Sequence, residues 1–301
     1  MIRTCPACGA TRTRRLFTAA GTDYVACIAC GLAHMDPMPA EHELLANFGA
    51  GYFEASQVPG GYESYAADEP LHRRNARRRL ERVAIDRHGL PPGSFLDIGC
   101  AYGYALDEAR TVGWSVVGVE PSPAAAQRAR ELDLRVFPDT GAALAAQPEG
   151  FDVVAMCQVL SHVPDPVAAV AGAARALKPG GLLFIETWRR DSLLARLAGR
   201  RWHVISPPTV VWLETSSSIR ALLEQVGLDV VGWTRGRKTV SIGLVTSLLD
   251  DRRLPRPVAA ATHRLSHSRW ARSSIVYPFA DLVWVTACPK RHARVLDTPG
   301  R

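Results

Sequence analysis

The chain of 301 residues has no apolar run close to the roughly 18 residues that a membrane-spanning helix needs. Its opening, MIRTCPACGA, has no apolar signal region, so the expectation is a protein that stays in the cytoplasm. Seven cysteines are an odd number, and without a secretory signal they do not read as a disulfide framework. There is no internal repeat and no low-complexity tract. Basic charge is scarce in the centre: residues 95–187 hold eleven Asp/Glu against six Lys/Arg, although the whole chain carries +7. The positive excess therefore lies in the flanks. Residues 71–88 contain seven arginines, and residues 252–273 contain six with no acid. Such runs are either solvated helix faces or a surface for a phosphate-bearing partner, RNA or a nucleotide-linked substrate.

Four cysteines form two matched pairs. CPACG supplies Cys5 and Cys8, CIACG supplies Cys27 and Cys30, and eighteen residues separate the pairs. Each C-x-x-C-G is a tight knuckle that aims two thiolates at one point, and two knuckles complete a tetrahedral zinc site. A redox pair would instead open a helix in its own βαβ unit. A segment this small needs the metal to order itself. Cys100, Cys157 and Cys288 fall at strand ends and read as buried thiols.

The remaining pattern divides the chain. Residues 1–38 form the ribbon. Residues 39–90 form a helical lid or linker around Phe48, Tyr52, Phe53, Tyr62 and Tyr65. LPPGS at 90–94 is a boundary, because Pro-Pro-Gly resists helix and strand. From 91 to 290 strands and helices alternate: SFLDIG, SVVGVE, LRVF, FDVVAMC, GGLLFIETW, LDVVGWT and DLVWVTACP read as strands with helices between them. The helix over SSSIRALLEQVG has a serine N-cap candidate and a glycine stop. The fold class is α/β, a mostly parallel sheet covered on both faces. Residues 236–275 are too long for a turn and form an insertion, and 291–301 form a tail.

The stretch FLDIGCAYGYALDEA at 95–109 decides the ligand. A dinucleotide loop needs three glycines in G-x-G-x-x-G, and after Gly99 the other two positions are Ala101 and Tyr104. Asp97 would also sit against a pyrophosphate. A cationic ligand suits the loop better: an acid at the strand end, then a turn of small residues, Gly99, Ala101 and Gly103. Alanine is tolerated at 101 if the backbone there has ordinary negative φ. Glu120 ends the next strand, 23 residues after Asp97, where a carboxylate can accept from two ribose hydroxyls.

With these residues the sequence resembles the class I S-adenosylmethionine-dependent methyltransferases over about 90–235 and the closing strand near 282–288. FLDIGCAYGYAL, VVGVEPSPAAAQRAR, FDVVAMCQVLSHVPDP and ALKPGGLLFIETW are similar to four of the family's motifs, in order. The resemblance implies a Rossmann-like seven-stranded sheet with one antiparallel strand, and S-adenosyl-L-methionine held by Asp97, Gly99, Ala101, Gly103, Glu120, Pro121, Cys157 and Gln158. Ser161 stands where many relatives have Glu, which would put a carboxylate role out of reach there. CIACGLAHMDPMPAEHELLANFGAGYF is similar to a subgroup with a four-cysteine zinc ribbon, which implies structural Zn2+ on Cys5, Cys8, Cys27 and Cys30, and work in secondary-metabolite or polysaccharide biosynthesis.

Methyl transfer needs alignment first, and a base only if the acceptor must lose a proton. His162 follows the fourth strand and is the catalytic candidate, with a loop-holding role as the alternative; Glu186 and His203 are weaker ones. The acceptor pocket is expected between the core and the added segments, beside Tyr65, Trp188, Trp202, His203, Trp212 and Trp270. The leading reading is O-methylation of a small molecule, anionic or nucleotide-linked, by a monomer or homodimer. The runner-up is a ribosomal or transfer RNA methyltransferase that docks RNA on its ribbon; the absence of an N-P-P-Y motif argues against amino methylation of DNA bases. A third reading is a non-catalytic cofactor-binding interaction protein.

Overall fold

A computed structural model describes residues 4–54, 58–59, 61–62, 64–242 and 273–290. Trp270, most of the expected insertion, nearly all of the arginine-rich stretch 252–273 and the 291–301 tail lie outside the described residues.

The chain begins with three antiparallel strands, β1 (Thr13–Ala19), β2 (Thr22–Cys27) and β3 (Ala33–Asp36). Three helices follow: α1 (Glu41–Ala46), α2 (Ala50–Phe53) and α3 (Glu69–Asp86). The Rossmann-like part then runs β4 (Ser94–Ile98), α4 (Tyr104–Thr111), β5 (Ser115–Val119), α5 (Pro123–Arg130), β6 (Val136–Phe137), α6 (Thr140–Ala146), β7 (Phe151–Cys157), α7 (Pro166–Ala176) and β8 (Leu177–Trp188). It closes with α8 (Leu193–Ala198), β9 (Trp212–Leu213), α9 (Ser216–Gln225), β10 (Leu228–Arg235), β11 (Thr239–Ser241), β12 (Ser274–Val276) and β13 (Leu282–Pro289).

Seven strands form one sheet in the order β10-β13-β8-β7-β4-β5-β6. Only β13 is antiparallel to its neighbours, as the resemblance implied. Strand β4 is buried at all five positions, which is why it reads as a continuous apolar run rather than an alternating one. Helix starts are marked chemically. Ser122, Asp139 and Asp165 accept from backbone N–H groups of the first turns of α5, α6 and α7, and α5 and α7 carry Pro at the first position. For α9 the cap is Thr215, not a serine; Thr215 Oγ1 accepts from Ser218 N, and the Ser218 hydroxyl reciprocates.

The ribbon's sheet is not closed on itself. It has four strands, β1-β2-β3-β9, and the fourth comes from residues 212–213 of the methyltransferase part. Tyr24, Leu32 and Met35 of the ribbon share one apolar core with Leu96, Met156 and Val285 of the large sheet. A ribbon this short has too little apolar surface for a core of its own, so it borrows one.

Candidate functional site

The four ribbon cysteines converge. All four Sγ atoms lie within 4.8 Å of one another, with Cys5 to Cys30 at 3.5 Å and Cys8 to Cys27 at 3.6 Å. Tetrahedral zinc with thiolates at about 2.3 Å places its sulfurs just under 4 Å apart, so the geometry fits that ion. Gly9 and Gly31, the residue after each knuckle, both take left-handed backbone (φ 73° and 78°) that lets the chain fold back.

Behind the cysteines a chain of polar contacts leads to the loop after β7. Thr215 Oγ1 donates to Cys30 O at 2.5 Å, and Arg190 donates to Gly31 O at 2.7 Å. Tyr24 Oη donates to Val210 O, Val211 N donates to Ser161 O, and Trp212 Nε1 donates to Val163 O. The Ser161 hydroxyl lies 2.9 and 3.1 Å from the two carboxylate oxygens of Glu214. This corrects the expectation that no carboxylate stands at that point: a glutamate 53 residues further on supplies one. Glu214 is 1% exposed, and burial pushes its carboxyl up to about 8.

The cofactor-turn residues come together at the C-terminal ends of β4 and β5. Gly99 and Gly103 have φ of 75° and 80°, and a Cβ on either would collide with Val159 or Leu134. Ala101 also has positive φ, 49°, so the expectation of ordinary backbone there is wrong; the turn places three alternate residues in the left-handed region. Glu120 explains the turn's shape. One of its oxygens accepts from Ala101 N and the other from Ser122 N, both at 2.9 Å. Asp97 is 4% exposed; burial pushes its carboxyl up to about 7, with Arg79 pulling it down and Glu120 pushing it up. A buried carboxylate in this state favours a cationic ligand. Gln158, at φ 62°, follows Cys157 at the end of β7; Pro121 sits between Glu120 and the Ser122 cap.

The lid segment packs onto this turn. The Tyr65 ring stacks on His72 at 3.9 Å and meets Phe53, Tyr62 and Tyr102 edge-on. His72 Nε2 is buried with no hydrogen-bond partner among the described residues, and burial drives its pKa down to about 3. Beneath lies a cavity of about 20 Å³, lined by Asp97, Arg79, Cys157 and apolar side chains. It has room for about one water. Its lining holds none of Tyr65, Trp188, Trp202, His203 and Trp212, the described residues expected around the acceptor.

The arginines of α3 and its flank are engaged within the chain. Arg73 and Arg77 pair with Glu108, and Arg73 also with Glu69 and Asp107. Arg82 pairs with Asp86, Arg87 lies over the Trp114 ring, and Arg74 and Arg78 donate to Ser274 and Thr239. Arg79 is enclosed, with two guanidinium nitrogens on the carboxylate of Glu186 at 2.5 and 3.0 Å. Arg74 and Arg77 stay exposed, while Arg73 ties α3 to α4 and Arg79 ties it to the sheet.

Glu186 receives two more donors, Trp284 Nε1 and Gln158 Nε2, and with Arg79 beside it its carboxyl sits at about 2 despite burial. It is an anchor, not a base. His162, in the turn after β7, has Nδ1 2.7 Å from Thr209 O and lies against Phe48. Burial lowers its pKa. The Nδ1 contact fixes the tautomer and leaves Nε2 as the basic nitrogen. Of the six residues expected around the acceptor, Trp188 and His203 meet at 4.9 Å, and Trp202 joins His203 through Asp281. Tyr65 belongs to the lid, and Trp212 is buried under the ribbon. Sequence reasoning missed Arg79, Glu214, Lys238 and Asp281. Arg79 was hidden inside a charge run, and the others lie in segments without a motif.

The methyltransferase-domain family matches residues 67–232. Ubiquinone biosynthesis O-methyltransferase of Xanthomonas campestris is 34% identical over 145 residues, 46% of this chain and 59% of that protein. The chain thus spans less than two thirds of that relative's length. The protein of the same name from Cereibacter sphaeroides is 30% identical over 215 residues, 60% of this chain and 86% of that one. Among solved structures, a chain of the Haloferax volcanii complex between the Trm112 methyltransferase activator and a methyltransferase has a TM-score of 0.51 at 20% identity, covering 74% of this chain and 92% of that one. That likeness speaks for the fold alone. No helix among the described residues is long and apolar enough to cross a membrane. By its matched domain, its sheet order and its cofactor turn, the chain belongs to the class I S-adenosylmethionine-dependent methyltransferases.

Proposed function

We propose that the protein transfers a methyl group from S-adenosylmethionine to a hydroxyl oxygen of a small molecule, in cytoplasmic biosynthesis of a secondary metabolite or saccharide. The observation that carries the reading is the turn from Asp97 to Gly103, closed by Glu120, at the strand ends where ligands of such folds bind. The bound cofactor supplies an electrophilic methyl on sulfonium. The chain's part is to seat the cation beside Asp97, to offer the ribose hydroxyls the remaining lone pairs of Glu120, and to exclude water with the Tyr52–Tyr65 lid. Pro121, Cys157 and Gln158 complete the wall. His162, its Nδ1 proton directed at Thr209 O, is the base we assign, taking the acceptor's proton on Nε2 where one must leave.

Oxygen rather than nitrogen is favoured by the O-methyltransferase names of the relatives. The RNA reading draws less from α3 than its charge suggests, since Arg73, Arg79 and Arg82 are paired within the chain. Zinc on Cys5, Cys8, Cys27 and Cys30 is structural in this reading, because four thiolates leave no coordination site for a substrate. The test uses tritiated S-adenosylmethionine with a panel of catechols, sugar nucleotides and total RNA. Label in the small hydroxyl compounds, lost in Glu120→Ala, is expected. Label in RNA alone would overturn the reading.

A further inference from the structure

The segment that leads into β11 carries Lys238, and the fold takes trouble to place it. Asn75 of α3 is 4% exposed, and its side chain clamps the next residue on both sides: Oδ1 accepts from Thr239 N at 2.7 Å, and Nδ2 donates to Thr239 O at 2.9 Å. Arg78 adds a contact to the Thr239 hydroxyl, and Lys238 O accepts from Tyr277 N at 2.7 Å. A buried amide spending both its groups on one backbone residue fixes the register of that residue. The Lys238 ammonium is thereby set 5.7 Å from the centre of the Trp188 ring. That ring is itself fixed, because Trp188 Nε1 donates to Gln158 Oε1 at 2.5 Å and the edges of His203 and Tyr277 flank it.

Glu186 and Asp97 are the buried carboxylates nearby, and Glu186 is committed to Arg79, Trp284 and Gln158. Among the described residues, no carboxylate lies within 4 Å of Lys238. The groups that act on it are Glu186, Arg79, Cys157 and, more weakly, Asp68 at the start of α3; burial lowers its pKa below the ordinary lysine value. Lys238 thus lies half-buried near the end of β7, while Arg79 has Glu186 on its guanidinium and Asp97 in the same cavity wall. A half-buried ammonium with no carboxylate in contact attracts an anion.

We propose that Lys238 binds the methyl-accepting oxygen as an anion, so that the acceptor is an aromatic or enolic compound with an acidic hydroxyl. This deepens the O-methylation reading and rests on it. The acceptor's proton leaves to water on binding. The oxyanion then forms the new O–C bond while the S–C bond of the sulfonium breaks, its electron pair staying on sulfur to give a neutral thioether. Lys238 remains an ammonium throughout, and neutral alcohols are poor acceptors. For such an acceptor His162 has no proton to remove and serves only to hold its loop.

The test uses 4-nitrocatechol, whose anion absorbs differently from its neutral form, with the full chain and S-adenosylhomocysteine at a pH where the free probe is protonated. Wild type is expected to bind the probe as its anion. Lys238→Met and Lys238→Gln should each lose at least tenfold in affinity and lose the absorbance change, with unaltered S-adenosylhomocysteine binding. Lys238→Arg should keep the absorbance change. Lys290→Met, which removes an equal charge after β13, should bind as wild type does. Anion binding that survives Lys238→Met, or uptake of the neutral probe by wild type, overturns the proposal. So does a wild type that does not bind the probe. In that event, tritium transfer to a neutral alcohol would leave O-methylation standing and remove only the role of Lys238. Transfer to RNA or to an amine would remove both.

Discussion

The cysteine ribbon and the cluster around Glu186 are built on opposite plans. The ribbon's four sulfurs come from two short knuckles within the first 30 residues, yet its sheet and core are completed from residues 209–215. The cluster around Glu186 draws its residues from far apart, Arg79, Gln158, Trp188 and Lys238, yet each contact is direct. The ribbon is thus local in its ligands and dispersed in its support. The difference teaches that a cysteine knuckle beside the loop after β7 can act as part of that loop's scaffold, since Thr215 joins Cys30 to the start of α9 and Glu214 joins the same segment to Ser161.

The largest effect that would break this comparison is metal removal. A strong chelator, or Cys27→Ser, is expected to unfold β1–β3 and to cost several kcal/mol, a fall in Tm of at least about 10 °C. Because the loop after β7 leans on the ribbon, S-adenosylhomocysteine affinity should fall as well. Calorimetry and thermal melts on the same samples check both. A ribbon that melts while cofactor-analogue affinity stays intact would make it an independent module, and the scaffold argument would fail.

What was legible in the sequence follows the same division. Cys5, Cys8, Cys27 and Cys30, the turn at Asp97–Gly103 and the alternation of strands and helices were readable because each is a matter of near spacing and local backbone demand. The partners of α3 were not readable. Seven arginines in one run look alike, and only packing reveals that Arg79 faces Glu186 while Arg77 faces Glu108. Glu214 beside Ser161 and strand β9 beside β3 depend on topology, which no local pattern encodes. The Ala101 backbone was misjudged because alanine only weakly signals positive φ, whereas the position is imposed by the Glu120 bond to its N–H.

A smaller effect sharpens the cofactor side. Asp97 is an acid whose folded pKa, about 7, lies above its ordinary value of 3.8, chiefly through burial. Between those values the folded chain holds a proton that the unfolded chain has lost, so stability contributed by this residue is lost as pH rises from about 4 to 7. A cationic ligand reverses the preference and expels the proton. Affinity for S-adenosylmethionine should therefore climb by up to tenfold per pH unit from about pH 5 and level off above about pH 7. Asp97→Asn should weaken binding and flatten the slope. A wild-type affinity independent of pH over that range would show that Asp97 does not meet the cation.

The smallest expected effect concerns the turn's non-glycine member. Ala101 at φ 49° pays roughly 1 kcal/mol for left-handed backbone. Glycine there removes that strain, but it gives the unfolded chain more freedom, a penalty of about 0.5–1 kcal/mol, and it gives up the methyl's packing against the aromatic lid cluster. The terms nearly cancel. Ala101→Gly is expected to shift stability by no more than about 1 kcal/mol, or about 2–4 °C in Tm, while S-adenosylhomocysteine affinity holds. Ala101→Val, by contrast, puts a branched side chain at positive φ and should lose both stability and affinity. If glycine at 101 instead loosened the cofactor analogue as much as valine does, the methyl group itself would be a contact the ligand needs. The turn would then be tuned by its side chain rather than held by Glu120.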